Sequence, residues 1–179
     1  MNTNVRLATT AEVAALNELV ELAVRQLSTG YYSPAQIDSA LRYMFGIDTQ
    51  LIEDGTYYVA ETDDHRLVGC GGWSKRRTLY GGDQRKTTAD PLLDPAHEAG
   101  RIRAFFVHPE WARRGIGRAI INVCEAAARQ AGFRQLTLAA TLPGEPLYRA
   151  LGYTASERTA IPFPDGQELP IVQMDKTLT

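Results

Sequence analysis

With 179 residues, 44% hydrophobic and 22% charged, and a formal net charge of −2, the chain has the composition of one ordinary globular domain. The near-neutral balance excludes a general nucleic-acid binder, which carries a broad basic excess, and no apolar run reaches membrane-spanning length. Cys70 and Cys124 sit in apolar patterns and make no disulfide framework; with no basic-then-apolar leader, they read as buried thiols of a reducing compartment, the cytoplasm.

Residues 4–8 read as a short strand. Thr9 and Glu12 then have the spacing of a capping box, in which each side chain satisfies a backbone amide. Val13, Leu16, Val20, Val24 and Leu27 follow at helical spacing until Gly30 breaks the pattern. Ser33-Pro34-Ala35-Gln36 starts a second helix by the same device, with Ile37, Leu41 and Met44 on its inner face. Tyr31 and Tyr32 fall on the turn between, either as core aromatics or as walls of a site. Residues 55–60 and 67–74, separated by Asp63-Asp64-His65, predict an antiparallel hairpin. Gly69, Gly71 and Gly72 in its second strand predict a bulge or a closely packed neighbour. From 75 to 100 the periodicity dissolves and the charge turns from basic to acidic. This is a long loop within the domain, read as substrate gating or as disorder.

Ile102, Ala104, Phe105, Phe106 and Val107 make a β-favouring run that stops at His108-Pro109, because proline has no amide for a ladder. Ile116, Ile120, Val123, Cys124 and Ala127 then recur on one helix face that begins near Gly115 and closes at Gly132. Between strand and helix lies Ala112-Arg113-Arg114-Gly115-Ile116-Gly117-Arg118. Its glycines let backbone approach a ligand, and free amides point outward at the positive end of the helix dipole. From Arg101 to Arg118 there are five arginines against one glutamate, so the stretch is an anion site suited to a polyphosphate.

Residues 134–140 read as another buried strand, and Thr141 to Pro146 turns into a short helix ending at Gly152. Residues 153–161 and 169–178 form a terminal hairpin around Pro164-Asp165-Gly166. The expected class is α/β, with one mixed sheet, helices on both faces, and residues 1–179 as a single domain.

Known nucleotide motifs do not fit the glycine loop. Ile120 stands where a dinucleotide fingerprint needs its third glycine, and no Gly-Lys-Ser/Thr is present. The loop resembles instead the coenzyme A signature of the GNAT superfamily of N-acetyltransferases, Arg/Gln-x-x-Gly-x-Gly/Ala after a strand. Ala112 departs at the first position, where the family uses mainly the amide. Leu147-Tyr148-Arg149-Ala150-Leu151-Gly152-Tyr153 resembles the closing motif of the same superfamily, whose tyrosine serves as general acid. The two motifs occur in the family's order.

The resemblance implies a mixed sheet centred on the strand-loop-helix coenzyme site and direct acetyl transfer from acetyl-coenzyme A to a primary amine of a small molecule or peptide. Backbone at Phe105, Phe106 and Val107 would pair with the pantetheine arm, and Ala112 through Arg118 would hold the pyrophosphate. Tyr148 would protonate the leaving thiolate; a phenol near pKa 10 is protonated at neutral pH. Thr141 stands where relatives often have an asparagine, and joins the cofactor-binding set with its hydroxyl in that role. The base does not carry over, because Arg101 occupies the position of the family's strand glutamate. Glu98, acting through water, is the candidate in its place, and His108 at the strand end reads as a cap. His65 and His97 lack partners at metal spacing, so no metal is expected. Arg101 and Arg103 share a strand face, either to recognise an acidic acceptor or to pair with carboxylates nearby. Homodimers are frequent among similar proteins. The rival readings are a non-catalytic acetyl-coenzyme A sensor and an interaction domain that uses the 75–100 loop.

Overall fold

Both capping devices read from the sequence govern the first half of the computed structural model, which describes residues 2–179. Glu12 accepts from the Thr9 amide at 2.8 Å where strand β1 (Thr3–Leu7) gives way to helix α1 (Val13–Leu27). Ser33 and Gln36 exchange bonds of 3.1 and 2.9 Å at the start of helix α2 (Pro34–Tyr43). A third helix, α3 (Thr49–Glu53), was not expected: five residues are too few to show a period. Its one signal is Asp48, whose carboxylate accepts from the Gln50 amide at 3.0 Å.

The remaining elements are strands β2 (Tyr57–Thr62), β3 (Leu67–Ser74) and β4 (Gly100–Val107), helix α4 (Ile116–Gln130), strand β5 (Gln135–Thr141), helix α5 (Glu145–Ala150), and strands β6 (Thr154–Pro162) and β7 (Glu168–Thr177). They form one α/β domain around a seven-stranded sheet of order β1-β2-β3-β4-β5-β7-β6, antiparallel throughout except for β4 and β5. Alternate side chains of each strand face opposite ways, so the sheet separates two apolar layers. Leu16, Val20, Ile37, Tyr57 and Leu169 pack on the α1–α2 side, and Ile102, Ile120, Ile121, Leu136 and Leu138 on the α4–α5 side. Among the described residues no helix is long and apolar enough to cross a membrane.

Strand β4 is irregular at its centre. Cys70 pairs with Phe106 but Gly72 with Arg103, so Ala104 and Phe105 together oppose the single residue Gly71. Ala104 holds φ at 54°, a conformation that alanine adopts only under constraint. The constraint is visible: the buried Tyr57 hydroxyl donates to the Ala104 carbonyl at 2.7 Å, and Phe105 lies so close over Gly71 that a Cβ there would meet its ring at 2.7 Å. The glycines of β3 thus answer to both the bulge and the close neighbour. Strands β4 and β5 pair only at Gly100 with Leu136 and Arg101 with Thr137, and then diverge.

The 75–100 segment is folded against the body, which does not fit a disordered insertion. Its two arms bond to each other, Arg77 N to Pro91 O at 3.0 Å and Leu93 N to Lys75 O at 2.8 Å. Arg76 grips Asp54 through bonds of 2.6 and 2.8 Å. Gly82 and Asp83 donate to the carbonyls of Met44 and Ile47 at 2.9 and 3.1 Å. Beneath the segment the fully buried Asp48 carboxylate meets Arg103 at 3.0 Å and Lys86 at 2.6 Å, while Arg103 also donates to the carbonyls of Thr78 and Gly81.

Candidate active site

Divergence of β4 and β5 opens a cavity of about 730 Å³ that passes from one face of the sheet to the other. Ala104 to Val107 line it from β4, and Leu138, Ala139 and Thr141 from β5. On the α4–α5 face its walls are the loop before α4 and the helix α5. On the α1–α2 face they are the end of α1, the residues after α2, and Leu79-Tyr80-Gly81 of the long loop.

The loop before α4 is shaped by two left-handed residues, Arg113 at φ 65° and Gly115 at φ 84°. The first bond of α4 runs from Ala119 N to Gly115 O at 2.9 Å, so the amides ahead of it have no acceptor within the helix and are offered to a ligand. A Cβ built on Gly115 meets nothing within 4 Å, whereas one on Gly117 would lie 2.9 Å from Leu147. The two glycines therefore have different tasks: Gly115 gives the turn and open space, and Gly117 lets α5 pack against α4. Arg113 and Arg118 line the cavity. Arg114 does not, and its guanidinium lies over the Trp111 ring at 5.1 Å.

Helix α5 holds Tyr148 with its ring buried, edge-on to Phe105 at 6.4 Å and to Tyr153 at 5.8 Å. Tyr148 lines the cavity, and among the described residues its hydroxyl has no hydrogen-bond partner. Burial pushes its ionisation above the ordinary tyrosine value, so the phenol stays protonated at any physiological pH. Tyr153, the last residue of the closing motif, anchors the helix from below: its hydroxyl donates to Glu125 at 3.0 Å, and Lys176 meets both oxygens of that carboxylate at 2.8 Å. Thr141 accepts the Gly144 amide at 3.2 Å and so shapes the turn into α5.

Of the residues singled out in the sequence, Phe105, Phe106, Val107, Ala112, Arg113, Gly115, Ile116, Gly117, Arg118, Thr141 and Tyr148 come together around this cavity. Glu98 does not. It sits before the start of β4, the end opposite the cavity mouth of the strand, where it accepts the Asp94 amide at 2.8 Å and faces Arg77. Among the described residues no carboxylate or imidazole lines the cavity. His108 accepts the Glu110 amide at 3.2 Å as a cap. Neither strand arginine reaches an acceptor: Arg101 bonds the carbonyls of Ala99 and Arg77, and Arg103 is buried on Asp48. The two turn tyrosines divide. Tyr32 is buried, donating to Pro170 O at 2.7 Å and accepting from Leu142 N at 2.9 Å, while Tyr31 is exposed at the cavity edge. Leu79, Tyr80 and Met44 were not anticipated, because nothing in their local pattern distinguishes a cavity wall from a loop. Among the described residues no three His, Cys, Asp or Glu side chains gather as a metal group would require.

Comparison with known proteins agrees with this geometry. The sequence model of the Acetyltransferase (GNAT) family matches residues 17–153. No curated protein matches the chain. Among solved structures, a GCN5-related N-acetyltransferase from Rhodopseudomonas palustris superposes with a TM-score of 0.73 at 19% identity, covering 99% of this chain and 97% of that one. A phosphinothricin acetyltransferase from Sinorhizobium meliloti, in complex with acetyl-coenzyme A, gives 0.66 at 20% identity over 99% and 89% of the two chains. The PaiA N-acetyltransferase of Thermoplasma acidophilum, in complex with coenzyme A, gives 0.66 at 13% identity over 99% of each. A family match that spans most of the chain, on a sheet with the same architecture as these structures, makes this protein a member of the acetyltransferase (GNAT) family.

Proposed function

We propose that the protein transfers the acetyl group of acetyl-coenzyme A directly to a primary amine of a small molecule or peptide within a ternary complex. The observation that carries this reading is the gap between β4 and β5, with the left-handed Gly115 turn at one mouth and the unpartnered Tyr148 hydroxyl on its wall. The residues present fit the coenzyme: the β4 edge left unpaired beyond Arg101 would take an extended arm, and the free amides at the start of α4, with Arg113 and Arg118 beside them, would hold its pyrophosphate. When bound, acetyl-coenzyme A supplies an activated thioester.

The chain's own groups do the rest. Backbone freed from the ladder at the β4 bulge is available to hold the carbonyl oxygen as charge develops on it. The cavity brings the amine nitrogen to the carbonyl carbon, so that the C–N bond forms as the C–S bond breaks. Tyr148 donates its proton to the departing sulfur, and burial keeps that proton in place until it is needed. The amine's own proton leaves to water, because among the described residues no carboxylate or histidine lines the cavity and Glu98 is engaged in the Asp94 turn, and the Tyr148 phenolate takes a proton back from water before the next cycle. A hydroxyl left without a partner beside the gap favours turnover over mere sensing of the coenzyme. The buried free thiols Cys70 and Cys124 suit the reducing cytoplasm.

The test is calorimetric titration with acetyl-coenzyme A, followed by thiol release on adding amines. Tight, saturable binding and amine-dependent release of coenzyme A are expected. Binding without release for any amine would make the protein a sensor.

A further inference from the structure

The α1–α2 end of the cavity differs sharply in chemistry from the α4 end. Val24, Leu27, Met44, Phe45, Leu79 and Tyr80 wall it, and no residue of that end that lines the cavity bears a formal charge. Among the described residues the lining cations are Arg113 and Arg118, which stand at the opposite mouth. Several ionic groups on the elements around this end already have partners. Asp48 is held by Arg103 and Lys86 at 3.0 and 2.6 Å, Asp54 by Arg76 at 2.6 Å, and Asp83 by the Thr49 amide at 2.9 Å. Arg85 lies over the Tyr80 ring at 5.1 Å, with its guanidinium taken up by that ring. Leu27 and Tyr31 are 36% and 52% exposed, large apolar groups set out towards solvent at the edge of the same cavity.

An acceptor lying here would have its attacking amine at the thioester and its remaining body between α1 and the 79–81 loop. A second ammonium, or a carboxylate, on that body would lose its water and gain no counter-ion. An apolar or aromatic body would lose nothing, and would gain the faces of Phe45, Tyr80 and Phe106. We infer that the acceptor is a monoamine carrying an aryl or branched apolar group, and that polyamines and free amino acids are rejected by the uncharged wall. The inference rests on the proposed acetyl transfer, and names its substrate class.

The experiment measures kcat/KM by thiol release for 2-phenylethylamine, 1,5-diaminopentane and glutamate, with acetyl-coenzyme A binding followed separately by calorimetry. The arylalkylamine is expected to exceed the other two by about tenfold or more, the scale on which a hydrophobic pocket discriminates. Equal or better use of the diamine or of glutamate overturns the assignment, as does bound acetyl-coenzyme A with no transfer to 2-phenylethylamine. Failure to bind acetyl-coenzyme A at all is a different result, which removes the transferase reading and this one with it. Leu27→Asp places a carboxylate on the partly exposed wall. It should narrow the preference for 2-phenylethylamine over the diamine by roughly tenfold while leaving coenzyme affinity as it was. An unchanged ratio would show that this wall does not face the acceptor, and would also overturn the proposal.

Discussion

The two ends of the cavity are built by different means. At the α4 end a single run, Ala112 to Arg118, supplies the turn, the free amides and the cations, and its shape follows from two left-handed residues. At the α1–α2 end the wall is assembled from residues 23–28, 44–46 and 79–81, held together by long-range contacts that include the buried ion pair between Asp48 and Arg103, 55 residues apart in sequence. The first kind of site is a property of local backbone chemistry and survives rearrangement elsewhere. The second is a property of the packed fold, and can be retuned or lost by changes that touch no ligand.

Tyr148→Phe tests where the two ends meet and should have the largest effect. It removes one hydroxyl and leaves the ring contacts with Phe105 and Tyr153, so kcat is expected to fall by about 10²–10⁴ with acetyl-coenzyme A affinity retained. Because burial raises the phenol's ionisation, the parent enzyme should show no falling limb below about pH 10. A loss that appears as weaker coenzyme binding in calorimetry would instead make the hydroxyl a positioning group.

Asp48→Ala strikes the assembled end alone. It leaves the buried Arg103 without its carboxylate, while Lys86 keeps Asp90 at 2.8 Å, at a cost of about 3–5 kcal/mol in urea unfolding. The remaining folded protein should bind acetyl-coenzyme A as before but use its acceptor poorly. Equal losses at both ends would break the distinction drawn between them.

A paired substitution separates tasks within the local end. Gly115→Val puts a β-branched side chain where φ is 84° and should weaken coenzyme binding about tenfold or more, with a folding cost near 1–2 kcal/mol. Gly117→Val drives a side chain against Leu147, so its cost of about 1–3 kcal/mol should fall on stability and on the placement of α5. If both variants lost coenzyme affinity by the same factor at equal stability, the division between the glycines would be wrong.

The last effect is common to both layers of the core and belongs to neither end of the cavity. Burial pushes the Cys70 thiol up to about 12 from an ordinary 9.0 on the α1–α2 side, and raises Cys124 and Tyr148 on the other. The folded chain keeps protons that the unfolded chain releases, so this stability is complete below about pH 9 and is lost as pH rises through 9 to 12. Each such group should remove about 1.4 kcal/mol per unit of pH in that window, read from unfolding midpoints. Stability that stayed level between pH 8 and 11 would contradict the burial of these groups.

What was legible in the sequence follows the same division. The capping boxes at Thr9 and Ser33, the helix start at Gly115 and the short helix before Gly152 are local devices, and each stands where its residues indicate. The bulge at Ala104 had no signature of its own, since alanine is not a residue that announces a left-handed turn; only the β3 glycines opposite hinted at it. Glu98 was misplaced because counting along a strand does not tell which end opens into a cavity. Adjacent Tyr31 and Tyr32 could not be told apart, as a turn sends neighbouring side chains in opposite directions. The pairing of Asp48 with Arg103 required the folded chain.

The narrow seam between β4 and β5 has a mechanical consequence. Two paired positions, Gly100 with Leu136 and Arg101 with Thr137, are all that bond the four-stranded half of the sheet to the three-stranded half. Beyond those two pairs the halves are held by side chains and helices and not by ladder bonds. A ligand laid along it as a missing strand fastens both leaves at once, so part of its binding free energy becomes cohesion of the fold, about 2.7 kcal/mol when the ligand stands at a hundred times its Kd. The concentration of coenzyme would then set how firmly the two leaves are joined, and with it how readily the protein opens to proteolysis.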